Sequence, residues 1–156
     1  MDNAQDKSVS FFRFEDLRIY SKSTDYSAWV VEHLGEPANE RQRSLVNSFC
    51  HSSYDIAINI AEGSSRNKSQ FEHCLKISKT AIRECIVYTA IAHQVGLFDW
   101  DAYNQSREYL MELTRMIGAL IISLQRGGRR RDDAESGMEA DGGSADADLD
   151  SIDTNF

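Results

Sequence analysis

Proline is almost missing from this chain: among 156 residues there is one, Pro37. Because proline removes a backbone donor and clashes with the preceding turn, its near-absence leaves long uninterrupted helices open to the chain. Cysteine is scarce and odd in number. Cys50, Cys74 and Cys85 cannot complete a disulfide framework, and with 41% hydrophobic residues the chain needs no covalent staples, so they read as reduced thiols. No apolar run approaches the roughly 20 residues that cross a bilayer. The strongest stretch, 117–124, is interrupted by Gly118, Ala119 and Ser123. The segment Met1-Asp2-Asn3-Ala4-Gln5-Asp6-Lys7 lacks the apolar run of a secretory signal. These absences predict a one-domain cytoplasmic protein that does not contact a membrane.

Arrangements that carry chemistry are missing too. Helical bundles that hold paired metals use Glu-x-x-His on two helices, yet the residue three after each of Glu15, Glu32, Glu36, Glu40, Glu62, Glu72, Glu84, Glu108 and Glu112 is never histidine. Cys74 and Cys85 share a helix face but are separated by about 16 Å of helix rise, too far to share one ion. His73 beside Cys74, and His51 with Asp55 one turn on, are better read as surface or packing residues than as partial ligands. The four histidines are scattered, with no base placed by sequence beside a nucleophile. Gly127-Gly128 follows a helical segment instead of opening one, the reverse of a phosphate-binding loop. No catalytic residue, metal or cofactor is expected.

What the sequence does contain is helical periodicity in four segments. The first spans about 14–33, with Phe14, Leu17, Ser21, Thr24, Ala28 and Val31 at three- and four-residue spacing, and Gly35 and Pro37 break it. The second spans 39–62 with Leu45, Phe49, Ser53, Ile56 and Ile60 on one face, and Gly63 is placed to close it in the left-handed conformation. A capping box, Ser69 to Glu72, opens the third, which continues through Phe71, Leu75, Ser78, Ile82, Cys85 and Thr89 to about Gln94, where Gly96 ends it. Asp99 caps the fourth. Its positions Tyr103, Ser106, Leu110, Leu113, Ile117, Leu120 and Leu124 alternate steps of three and four until Gly127 and Gly128. Short connections make sequential helices antiparallel. The predicted fold is therefore all-α: an up-and-down four-helix bundle over 13–126, with a flexible segment 1–12 before it and a disordered acidic tail 127–156 after it.

The net charge of −8 is unevenly spread. Residues 127–156 hold three arginines against nine acids, a net of −6, which leaves −2 for the first 126 residues. The acidity thus belongs mainly to a Gly-, Ala-, Ser- and Asp-rich tail that cannot bury enough apolar surface to offset its ordering entropy. Acids interleaved with Leu149, Ile152 and Phe156 suggest a solubilising tail, or one that docks in a basic groove and competes with another anion.

Two stretches carry a family pattern: Phe12-Arg13-Phe14-Glu15-Asp16-Leu17-Arg18-Ile19-Tyr20 and Ile58-Asn59-Ile60-Ala61-Glu62-Gly63-Ser64-Ser65-Arg66. With 78–84 and Val95-Gly96-Leu97-Phe98, they resemble the four-helix-bundle proteins encoded in intervening sequences of bacterial large-subunit ribosomal RNA genes, over residues 11 to about 126. The resemblance implies a non-enzymatic bundle that assembles as a ring-like homopentamer. It extends to the accessory variability determinant of diversity-generating retroelements, which binds nucleic acid and a reverse transcriptase. RNA or DNA, a reverse transcriptase and further copies of the chain are the partners it implies. The sequence departs from the family in the second helix, where a usual arginine pair and a Ser-Ile-Pro-Ala-Asn run read Cys50-His51 and Asp55-Ile56-Ala57-Ile58-Asn59.

Two candidate surfaces follow from the residues themselves. Lys76, Lys79 and Arg83 share one face of the third helix, with Arg66 and Lys68 just before it. Repeated around a five-membered ring, these five cations become about 25 charges for phosphates. The plainer reading is a solvated helix face, since Glu72 lies four residues before Lys76. Apolar residues off the main stripes, above all Trp29, Tyr54, Tyr88, Tyr109 and Met116, suggest an oligomer interface, with a thicker monomer core as the alternative. The expected role is an oligomeric binding scaffold that contacts nucleic acid or a nucleic-acid enzyme. A protein-only assembly module is the alternative.

Overall fold

The computed structural model describes the backbone of residues 11–136 and the side chains of residues 11–128. A short 3-10 turn over Arg13–Asp16 leads into α1 (Arg18–His33), followed by α2 (Glu40–Ser64), α3 (Lys68–Gln94) and α4 (Trp100–Ser136). Sequential helices are antiparallel and α1 also packs on α4, so the chain forms an all-α four-helix bundle. The helix ends have local causes. Asn39 accepts from the Gln42 N–H at 3.0 Å, Asn67 from the Gln70 N–H at 3.0 Å and Asp99 from the Ala102 N–H at 2.7 Å, each satisfying a first-turn donor. Gly96, at φ +80°, supplies the left-handed residue after α3.

Four boundaries differ from expectation. α1 starts at Arg18 and not at about Phe14, because extended Leu17 separates it from the 3-10 turn. The cap of α3 is Asn67, two residues before Ser69, and Glu72 instead binds Lys76 and Gln125. Gly63 does not terminate α2. It lies buried inside the helix, where a Cβ would come within 2.6 Å of Cys74 Cβ and 2.7 Å of Phe71 Cδ2. The missing side chain serves close helix packing, and α2 continues to Ser64. α4 passes through Gly127 and Gly128 to Ser136, because glycine weakens a helix without blocking its hydrogen bonds. The remainder of the expected tail, 137–156, and most of the N-terminal segment lie outside the described residues.

The stripes of α2, α3 and α4 face the core as their spacing predicts, with Phe49, Ile56, Ile60, Leu75, Ile82, Leu110, Leu113 and Ile117 buried. In α1 a different ladder wins. Ile19, Ser23, Tyr26 and Val30 are buried, whereas Ser21, Ala28 and Val31 face solvent. Both ladders satisfy helical spacing, but only the second presents aromatic rings to Phe98 and Tyr109.

The interior is rich in hydroxyls, and every neighbouring helix pair is joined by one. Ser27 donates to the Ser53 carbonyl between α1 and α2 at 2.9 Å, and Ser78 to the Ile56 carbonyl between α2 and α3 at 3.0 Å. Thr89 meets Ser106 between α3 and α4 at 2.7 Å, and Tyr26 meets the same Ser106 between α1 and α4 at 3.0 Å. Small serines let helices approach closely. Because an orphaned buried hydroxyl is costly, the cross-links also favour one helix register over its slipped alternatives.

Candidate nucleic-acid interface

The five expected cations fall at one end and along one side of α3. Arg66 forms an ion pair with Glu62 one turn earlier on α2, and Lys76 pairs with Glu72 at 2.8 Å. Both are neutralised locally. The Glu72 carboxyl is held below the usual carboxylate range, chiefly by its hydrogen bond to Lys76 and then by the one from Gln125 of α4. Lys79 and Arg83 have no ion pair among the described residues. The Lys68 ammonium reaches across to α4, where it is the atom nearest to a Cβ placed on Gly127, at 2.8 Å.

These contacts define how α3 lies against α4. The pairs Lys68–Gly127, Glu72–Gln125 and Thr89–Ser106 have residue numbers summing to 195–197, an antiparallel register that sets Lys79 and Arg83 opposite residues 112–118. The outer surface of α4 adds cations that the sequence reading missed. Arg107, Met111 and Arg115 follow at i, i+4 and i+8 and are all exposed. Of the acids in this stretch, Glu112 accepts from Lys22 of α1 at 3.2 Å, and exposed Glu108 lines the same α1–α4 groove. The signal for this stripe was the polar side of the same periodic pattern that revealed the core of α4.

The opposite end of the α3–α4 pair, where α3 stops and α4 begins, carries three rings, of which Trp100 is exposed. Trp100 stacks on Tyr103, with centroids 5.2 Å apart and planes 14° apart, and His93 lies 5.0 Å from each. The Arg107 guanidinium sits 5.6 Å from the Tyr103 centroid. His93 is held by a 3.1 Å contact from Nδ1 to the Phe98 carbonyl oxygen.

The five residues expected at an oligomer interface do not form one patch. Trp29 is only 6% exposed and packs against Tyr26, Phe98, Tyr109 and His33, which makes it part of the core of a single chain. Its indole N–H has no acceptor among the described residues. Tyr88 lies half-buried on Phe49 at the α2–α3 groove, while Tyr109 and Met116 lie against the core on α4. Tyr54 lines an apolar groove of about 320 Å³ between α1 and α2 with Phe14, Tyr20, Ala57 and Ile58. Phe11 and Phe12 extend the aromatic chain that reaches Phe14 and Tyr20. Periodicity tells which residues leave the main stripe but not into which of several grooves they fall.

The cysteines are free thiols, and Cys85 is buried. Its pKa is raised well above the normal thiol range, first by burial and then by the charge of Glu84. Tyr26 is raised likewise by burial, so both remain protonated at neutral pH. Among the described residues no three His, Cys, Asp or Glu side chains converge as metal ligands, and no helix is long and apolar enough to cross a membrane.

No curated protein matches this chain. The profile of one family does, over residues 15–119, a span that takes in α1, α2, α3 and half of α4. The matched span, the four-helix architecture and the two ordered motifs agree: the chain belongs to the family of 23S rRNA-intervening sequence proteins.

Proposed function

We propose that this protein is a non-enzymatic, oligomeric binding scaffold that contacts nucleic acid, or an enzyme working on nucleic acid, through the outer surface of α3 and α4. The observation that carries the reading is a group of cations with no ion pair among the described residues: Lys79 and Arg83 on α3, at the level of Arg115 on α4, with Arg107 two turns nearer the start of that helix. They stand out because the first 126 residues as a whole have a net charge of −2. Closed-ring assembly, as a homopentamer, multiplies this surface. Association with further copies is supported by the apolar α1–α2 groove and by the exposed Phe11 and Ile58, apolar surface that the chain itself does not cover.

Binding to phosphates releases counterions, so affinity for a short RNA or DNA falls steeply as salt rises. Lys79→Glu with Arg83→Glu removes the low-salt binding while leaving the native mass of the oligomer unchanged. No binding at low ionic strength by the unaltered protein would overturn the nucleic-acid reading. A second reading, a protein-only assembly module, is favoured by the local neutralisation of Arg66 and Lys76. It is the one that stands if the oligomer forms and the salt titration is flat.

A further inference from the structure

Of the rings at the start of α4, His93 and Tyr103 are half-buried, whereas Trp100 is not covered by its own chain. Trp100 is 61% exposed although it is the first residue of a helix whose opposite face fills the core. Tyr103 stacks on its indole, and the His93 ring lies beside it, tilted by 56°. Even with both neighbours in place, most of the Trp100 surface stays open to solvent. Arg107, one turn beyond Tyr103, places a guanidinium beside the same stack. An exposed aromatic ring next to cations is the composition of sites that hold unpaired bases: the rings take the bases and the cations take the phosphates. A buried structural tryptophan looks different, as Trp29 at 6% exposure illustrates in the same chain.

We infer that Trp100, backed by Tyr103 and His93, is a stacking platform for an unpaired base, and that the nucleic acid recognised by the α3–α4 surface is single-stranded. The inference rests on the proposed function and specifies its ligand. Spacing along α4 fits a strand running from the platform over the cations. Arg107 lies about 10 Å along the helix from Trp100 and Arg115 about 22 Å, distances spanned by a few nucleotides of extended strand. The acids beside Trp100 set the direction. Asp99 is engaged as the cap of α4, and Asp101 is one residue further round the helix, so phosphate is disfavoured there and favoured on the Arg107 side. A base-paired duplex keeps its bases stacked within the helix, so the platform gains nothing from it.

The test compares a fluorescein-labelled 20-nucleotide single strand with the duplex of the same sequence, using the full chain at low salt. Trp100→Ala is expected to weaken single-strand binding about tenfold, to leave duplex binding and the native oligomer mass unchanged, and to be rescued by Trp100→Phe. Binding of the unlabelled single strand also quenches tryptophan emission in the unaltered protein, and this quenching disappears in Trp100→Ala, where buried Trp29 remains. Binding to both ligands that is indifferent to Trp100 would overturn the platform but leave the phosphate-binding reading intact. Equal weakening of both ligands, or a changed oligomer mass, would overturn it as well. Absence of binding to either ligand would overturn the nucleic-acid reading and the platform together.

Discussion

The two sides of α3 obey different rules. Toward α2, its neighbours are chosen by volume: Gly63 admits Cys74 and Phe71, and Ser78 binds the Ile56 carbonyl. Toward solvent, close packing ends, and charge takes over with Lys68, Lys79 and Arg83. On the first side a single added carbon has no room. On the second, large changes of charge are expected to leave the fold standing. The contrast teaches that stability and binding are separable along one helix, and each of the following substitutions bears on one side or the other.

The largest effect is expected from Gly63→Val. Three added carbons at a site with no room for one must push α2 from α3, and overpacking of this kind costs about 3 kcal/mol, read as a lower urea midpoint. A midpoint within error of the unaltered protein would mean that the seam is looser than its distances imply. Next comes Ser106→Val, which leaves both Tyr26 and Thr89 without their buried partner. The expected loss is roughly 2 to 3 kcal/mol in the same assay, with binding unaffected.

On the charged side, Lys79→Glu with Arg83→Glu is expected to lower nucleic-acid affinity at least about tenfold at low salt and to flatten its salt dependence, with thermal stability nearly unchanged. A large fall in melting temperature would break the separation between the two sides of α3.

Smaller effects sharpen the picture. Cys85, buried and with a raised pKa, should resist a thiol reagent in the native state, while half-buried Cys50 and Cys74 react slowly. Counting thiols before and after unfolding checks this, and three fast thiols in the native protein would contradict the placement of Cys85. Smallest is Glu72→Gln. Because the folded carboxyl is held below its unfolded value, its contribution is present above the unfolded pKa and is lost as pH falls through the folded one. The variant should therefore match the parent at strongly acidic pH and lie slightly below it at neutral pH. The difference should shrink with added salt, since the pair sits at the surface.

The helices were legible because burial imposes a period. Leu110, Leu113 and Ile117 can share a face only in a helix, and Gly96 and Asp99 mark the turn between α3 and α4 by their own chemistry. The candidate site was half legible. The α3 cations were visible as a stripe and the Glu72–Lys76 pair as a four-residue spacing, but the pairing of Arg66 with Glu62 was not read from the sequence, and the level at which Arg115 stands depends on register.

What the sequence by itself determined is the number of helices, most of their ends and the inward faces of three of them, because periodicity, caps and glycine conformations are local properties of the chain. Tertiary structure alone decided the rest. Two ladders of α1 fit the helical period equally, and only packing against Phe98 and Tyr109 selected the one that buries Tyr26 and Trp29. Gly63 reads locally as a helix stop, yet the approach of Cys74 and Phe71 makes it a packing site. Trp29 and Trp100 are the same residue type, one sealed in the core and one open to solvent, because only the assembled bundle determines which rings find a partner.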